Sequence, residues 1–293
     1  MHEAHLAFHT AGFESALERF VGALGLALQL GPAATERVLA EVMAVARSFP
    51  RFDRSDLLAY TCPAMDKNKR VDLHTHSFFS DGVLLPSEML RRVEVLGYGA
   101  LAITDHADGS NLDGLIAQLT RFSRQDAHGF DVTLIPGVEL THVPPAQIPE
   151  LARRARQLGA LLVVVHGESP VEPVAPGTNH AALDCPDVDI LAHPGFITEE
   201  EAALAAANSI ALELTARGGH NITNGHVARI ARVVGAKLVV NTDAHAPSDF
   251  LDQAHARRVA LGAGLSCDEA EAALVANAWS IVSSTLDAAV GAT

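Results

Sequence analysis

The chain has 293 residues, 48% hydrophobic and 5% aromatic, enough to bury the core of one large domain with a small appendage. Its formal net charge is −14, nearly all of it after residue 69, and no basic stripe offers the phosphate contacts that nucleic-acid binding needs. No apolar stretch of about 18 residues is present, the start Met1-His2-Glu3 lacks a basic leader pattern, and Cys62, Cys185 and Cys267 are scattered without CxxC spacing; these features point away from a membrane span and toward a reducing, cytoplasmic setting.

Residues 1–66 read as a helical N-terminal segment. Phe13, Leu17, Phe20, Val21, Leu24 and Leu28 share one helix face, and Gly31-Pro32 ends it. Thr35 can cap a second helix whose stripe is Val38, Leu39, Val42, Met43 and Ala46. These faces need a partner, either the main domain or a second copy of the chain, so a homo-oligomer contact is expected there. Asp66-Lys67-Asn68-Lys69-Arg70 is a polar linker, and residues 71–293 form the second domain.

From Val71 onward short apolar runs alternate with helical segments. The strand candidates are 71–76, 100–105, 132–138, 161–166, 189–193, 210–214 and 237–242. Helices are expected at 86–96, 111–125, 147–157, 198–207 and 222–234, with a short one near 176–183 and a last region from about 256 to 280. Repeated βα units imply a parallel sheet, and runs such as Leu161-Leu162-Val163-Val164-Val165 imply strands buried on both faces. No GxGxxG or GxxxxGK[ST] follows the first strand, so nucleotide-binding open sheets are disfavoured.

The strand ends carry the chemistry. His74 and His76, spaced by two, point to one side of the first strand, and Asp81-Gly82 follows in a tight loop. Later strands end at His106, Glu139, His166, His193, Glu213 and Asp243-Ala244-His245. One buried histidine at a strand end is most often structural. Recurrence at most strands is not, and a buried carboxylate such as Glu139 or Asp243 is costly without cations. In a barrel these ends meet at one mouth; in an open sheet they spread along a line. Nine residues emerge as ligand candidates: His74, His76, Asp81, His106, Glu139, His166, His193, Asp243 and His245. That set exceeds the needs of one tetrahedral ion and suits two or three divalent ions, with Zn, Mn and Fe all compatible.

The motifs HTHSFFSDG, ITDH, GVE, VVVH, AHPG and NTDAH, in this order, resemble the polymerase and histidinol phosphatase (PHP) family over about residues 71–282. The resemblance implies a distorted (β/α)7 barrel with a two- or three-metal centre. It assigns a first ion to His74, His76, Glu139 and Asp243. Glu139 then bridges to a second ion held with His166 and His193, and Asp81, His106 and His245 take a third. The implied activity is that of a stand-alone phosphatase, in which hydroxide from the metal cluster hydrolyses a small phosphate monoester. A nuclease or phosphodiesterase on the same metals is the alternative. A non-catalytic metal-stabilised module is a third reading, disfavoured by the intact ligand set.

Outside the ligands, Arg217 in Thr215-Ala216-Arg217-Gly218-Gly219-His220 is placed to reach a phosphate oxygen, and His220 to protonate the leaving group. Asp105 is expected to brace a ligand from behind. Glu168 and Thr178-Asn179 belong to a Pro- and Gly-rich loop that shapes specificity or forms a passive rim, and His142, His180 and His226 read as ordinary polar residues.

Overall fold

A computed structural model describes residues 69–291. The helices expected within residues 1–66, and the oligomer contact expected of them, lie outside the described residues.

The strands are β1 (Arg70–Asp72), β2 (Tyr98–Ile103), β3 (His106–Ala107), β4 (Thr133–Leu140), β5 (Leu162–His166), β6 (Ile190–Ala192), β7 (Ala211–Thr215) and β8 (Leu238–Asn241). All pair in parallel, in the order β1-β2-β4-β5-β6-β7-β8, with β3 on β4. In register, Ile103 faces Pro136 and His106 faces Glu139, so β3 continues the line of β2 after a break at Thr104-Asp105. The break replaces the single strand expected at 100–105. There the Asp105 side chain turns to the loop after His76, accepting from Ser77 N at 2.7 Å, Ser77 Oγ at 2.6 Å and Ser80 Oγ at 2.6 Å.

The two ends of the sheet meet beyond β1 and β8. Thr75 bridges Ala244 in parallel, Asp243 N donates to His74 O at 2.9 Å, and His76 N donates to Ala244 O at 2.8 Å. Leu73 N donates to the Asn241 side chain at 2.9 Å. A nearly closed seven-position parallel barrel results, as the convergence of strand ends required. The strand expected at 71–76 is thereby split: its first half pairs with β2 and its second half, which carries His74 and His76, closes on the segment after β8.

Helices cover the outside: α1 (Pro86–Val95), α2 (Leu112–Gln125), α3 (Ile148–Leu158), α4 (Thr178–Leu183), α5 (Glu199–Asn208), α6 (Asn224–Val234), α7 (Gln253–Gly262), α8 (Cys267–Glu271) and α9 (Asn277–Gly291). Local chemistry fixes several ends. Pro86 opens α1 where its missing N–H is no loss. Thr198 and Glu201 form a reciprocal capping box on α5, and Gly159 and Gly235 end α3 and α6 in left-handed conformation. The last helical region, expected as one run from 256 to 280, is divided by the left-handed Gly264 and a fresh cap at Ser266, and a π segment at Ala272–Ala276 leads into α9.

Two apolar layers follow. Met89, Leu119, Val163 and Leu212 belong to the layer between strands and helices. Val71, Ala100, Ile135, Val164, Ile190 and Val239 fill the barrel interior, joined by Ala278, Trp279 and Val282 of α9. Trp279 Nε1 donates to Lys69 O at 3.1 Å, which fixes α9 against the start of β1. That end of the barrel interior is packed by apolar side chains, beside the buried Arg70–Asp72 pair of β1, and the histidines gather at the other end. No helix among the described residues is long and apolar enough to cross a membrane.

Candidate metal centre

Glu139 stands at the centre of this end, fully buried one residue before the end of β4. Its Oε1 lies 3.3 Å from His74 Nε2 and 3.7 Å from His193 Nε2; its Oε2 lies 2.6 Å from His106 Nδ1 and 3.8 Å from His76 Nε2. Asp243 faces the same space, with Oδ1 3.2 Å from His76 Nε2 and 3.8 Å from His74 Nε2, and Oδ2 3.7 Å from His193 Nε2. Asp81 lies further out, 3.2 Å from His245 Nε2 and 3.5 Å from His106 Nε2. His166 and His193 pack edge to face with ring centroids 4.4 Å apart. All nine candidate side chains therefore meet at the C-terminal mouth of the barrel.

Five compact groupings of ligand-type atoms occur among the described residues: His74 with His76 and Asp243; His76 with Asp81, His106 and His245; His166 with His193 and His220; His74 with His193 and Glu213; and His142 with His166 and Glu172. Several imidazoles are anchored through Nδ1, leaving Nε2 for the mouth. His74 Nδ1 contacts Glu213 Oε1 at 2.9 Å, His166 Nδ1 contacts Gly167 O at 3.1 Å, and His245 Nδ1 contacts Asp243 O at 2.9 Å. Such partners fix the tautomer and ring orientation that a metal ligand needs.

The backbone is bent to this purpose. Among the described residues, the non-glycine positions with positive φ are His142, His193, Ser209 and Asp243, and three of these four line the mouth. Gly82 is required where the loop after His76 folds back, because a Cβ there would lie 2.2 Å from His76 O.

Electrostatics separate the histidines. Burial opposes charge on His74, yet Glu213, Glu139 and Asp243 together hold its pKa well above the usual value. Burial and the neighbouring His106 hold His76 well below it, and burial and His166 do the same to His193. His106, partly buried but beside Glu139, is pushed up to about 8. Burial works to raise Glu139, but His74 and His106 keep its carboxyl well below the usual carboxylate range.

These groups fit divalent cations by a direct test. His74 Nε2, both ring nitrogens of His76, Glu139 Oε1 and His193 Nδ1 are buried with no partner in hydrogen-bonding geometry. Buried polar atoms are ordinarily satisfied, and imidazole nitrogens converging with carboxylate oxygens form a donor set for such ions.

The residues expected outside the ligand set fall differently. His220 lies in the grouping with His166 and His193, its ring centroid 4.4 Å from that of His193. Arg217 Nη1 lies 3.5 Å from Asp249 Oδ2, in a cavity of about 590 Å³ also lined by Thr242, His255 and Arg258. Asp105 fixes the Ser77–Ser80 loop, and the side chain braced behind a ligand is Glu213 at His74. Glu213 was visible at the end of its strand, but its role depends on the His74 ring angle. Glu168 and Asn179 brace their loop: Glu168 Oε1 accepts from Gly177 N and Asn179 N, and Asn179 Nδ2 donates to Pro194 O. His142, read as ordinary, contacts Glu172 at 3.1 Å and stacks on His166. Glu172 carried no sequence signal, being one acid in an irregular loop.

A parallel barrel with clustered histidines and carboxylates at its C-terminal mouth defines a protein able to hold divalent metals there. Residues 72–233 match the PHP domain, and the chain belongs to that family of metal-dependent phosphoesterases. The match spans His74 to His193; Asp243 and His245 lie beyond it and are brought in by barrel closure. The chain is 52% identical over 208 residues to the uncharacterized protein MJ1295 of Methanocaldococcus jannaschii, covering 70% of this chain and 95% of that protein. It is 29% identical over 193 residues to the DNA polymerase/3'-5' exonuclease PolX of Bacillus subtilis, covering 59% of this chain and 34% of PolX. It is 33% identical over 108 residues to a 3',5'-nucleoside bisphosphate phosphatase of Chromobacterium violaceum, covering 31% of this chain and 38% of that enzyme. The chain thus spans little more than a third of either characterised relative.

Proposed function

We propose that this chain is a phosphatase that hydrolyses a small phosphate monoester at the barrel mouth. In this reading His74, His76, Glu139 and Asp243 hold a first divalent ion. Glu139, His166 and His193 hold a second, and Asp81, His106 and His245 a third. The observation that carries the reading is the position of Glu139, buried within 3.8 Å of four imidazoles that arrive from three separate segments. Two or three ions of Zn, Mn or Fe, when bound, lower the pKa of water and offset charge on a phosphoryl group.

The chain's own residues do the rest. Glu213 and the other Nδ1 partners keep the imidazoles aimed inward, so little reorganisation is needed as charge develops. Arg217, on releasing Asp249, supplies a guanidinium to a phosphate oxygen. His220 stands among ligand-type groups, which weakens its case as a proton donor to the leaving group.

The formal charge of −14 favours a compact substrate over a long polyanion, and the nucleoside bisphosphate phosphatase relative supports a monoester; histidinol phosphate is one of the small monoesters that qualify. The likeness to PolX favours a second reading, a nuclease or phosphodiesterase acting on nucleotides or nucleic-acid ends. Phosphate release from a panel of phosphomonoesters, run beside nuclease assays with added Mn²⁺ or Zn²⁺, separates the two. The expected result is release from monoesters that is abolished in His74→Ala. Full activity in that variant overturns both readings.

A further inference from the structure

We propose that Glu172 is a further protein ligand of the second cation position, which it meets at His166 and beside His220. This rests on the metal-centre reading above. Glu172 is carried by the proline-rich loop 167–177, not by a strand end. Its Oε2 lies 3.1 Å from His166 Nε2 and its Oε1 lies 3.3 Å from His220 Nε2.

Hydrogen-bond accounting makes these contacts informative. His166 Nδ1 faces the carbonyl oxygen of Gly167, which can only accept, so the Nδ1 nitrogen carries the proton. In the neutral ring Nε2 is then an acceptor, and it faces a carboxylate oxygen, also an acceptor. Two acceptors at 3.1 Å repel, and either a proton on Nε2, which makes an imidazolium–carboxylate pair, or a bound cation between them relieves the repulsion. His220 Nδ1 contacts the buried Ser169 Oγ, which can donate or accept, at 2.8 Å, and its Nε2 is turned to the other oxygen of Glu172. One carboxylate thus meets two imidazoles, each through the nitrogen left free by its anchor. Ligand atoms bound tetrahedrally at about 2.0–2.1 Å lie roughly 3.3–3.4 Å apart, close to both separations.

The surroundings fix the carboxylate in place. His142 Nε2 lies 3.1 Å from Glu172 Oε2, and His142 has a positive φ of 52°. The base of the loop is pinned by Glu168 and Asn179, and by Gly195, where a Cβ would lie 1.9 Å from Glu168 O. The loop therefore brings a further carboxylate, from outside the strand ends, to the position where His166 and His193 meet.

The test is a metal titration of the metal-free full chain with Mn²⁺ and with Zn²⁺, comparing wild type with Glu172→Gln. Chelator competition gives the number of ions and the affinity of each. Thermal melting of the metal-free proteins shows whether the variant folds. The expected result is that one ion in the variant is bound more weakly by roughly tenfold or more while the others are unchanged. Should the variant melt early, Glu172→Asp, which keeps the charge on a shorter stem, is expected to restore part of that affinity. If every affinity in Glu172→Gln equals that of wild type, the proposal is overturned, and a loss confined to metal-free stability assigns Glu172 to an ion pair instead. If wild type binds neither metal, the metal-centre reading fails together with the proposal.

Discussion

Glu213 is fully buried and accepts three hydrogen bonds: from His74 Nδ1 at 2.9 Å and Asn241 Nδ2 at 2.8 Å on Oε1, and from His193 N at 3.1 Å on Oε2. It holds two mouth histidines at once, one through its ring and one through its backbone. Glu213→Gln keeps the shape but offers one acceptor oxygen to three donors and turns an NH₂ group toward one of them. We expect the variant to bind Mn²⁺ or Zn²⁺ about 10–100-fold more weakly, the range found for partners behind metal-bound histidines. It should also lose about 1–3 kcal/mol of stability from the unsatisfied donors. Chelator competition and denaturant unfolding measure the two effects, and unchanged metal affinity would show that Glu213 serves folding alone. The residue types at this site were legible in the sequence because histidine and carboxylate recur at strand ends. What each ring nitrogen faces was not, since it depends on χ angles set by neighbours remote in the chain.

At the level of elements, the connections after β5 and β6 are locked together more tightly than their glycine content suggests. Gly167 N donates to Ala192 O at 3.0 Å, and Gly195 has a φ of 65° directly against Glu168 O. Gly195→Ala combines a left-handed backbone with a clash against fixed backbone, so we expect it to destabilise the chain by roughly 1–3 kcal/mol or more. Because this contact sets the loops behind His166 and His193, metal affinity should fall with it. A melting curve together with a metal titration checks both, and wild-type values in the two would refute the locking role. The periodic elements were readable from sequence: Pro86, Thr198, Gly159 and Gly235 mark helix ends by local chemistry. The break at Thr104-Asp105, the π segment at Ala272–Ala276 and the course of loop 167–177 were not. Each answers to tertiary contacts, such as Asp105 with Ser77 and Ser80, that no local pattern announces.

For the whole molecule, closure decides the chemistry. The bridge from Thr75 to Ala244 brings His74 and His76, near the start of the domain, against Asp243 and His245, some 170 positions later. The interior below is apolar and meets Trp279 of α9, and the ligand-type side chains concentrate at the mouth. This geometry was foreseeable because ligand-type residues at most strand ends are useful only if those ends converge. Arg217 shows the limit of that logic, since its pairing with Asp249 comes from two loops whose approach no strand pattern sets. The account stands on several cations being shared across this mouth. The most direct measurement is anomalous diffraction from crystals of the chain loaded with Mn²⁺. It should show two or three peaks, one of them among His74, His76, Glu139 and Asp243 and another beside His166 and His193. A mouth without any peak, in crystals where the same side chains are ordered, would contradict the account.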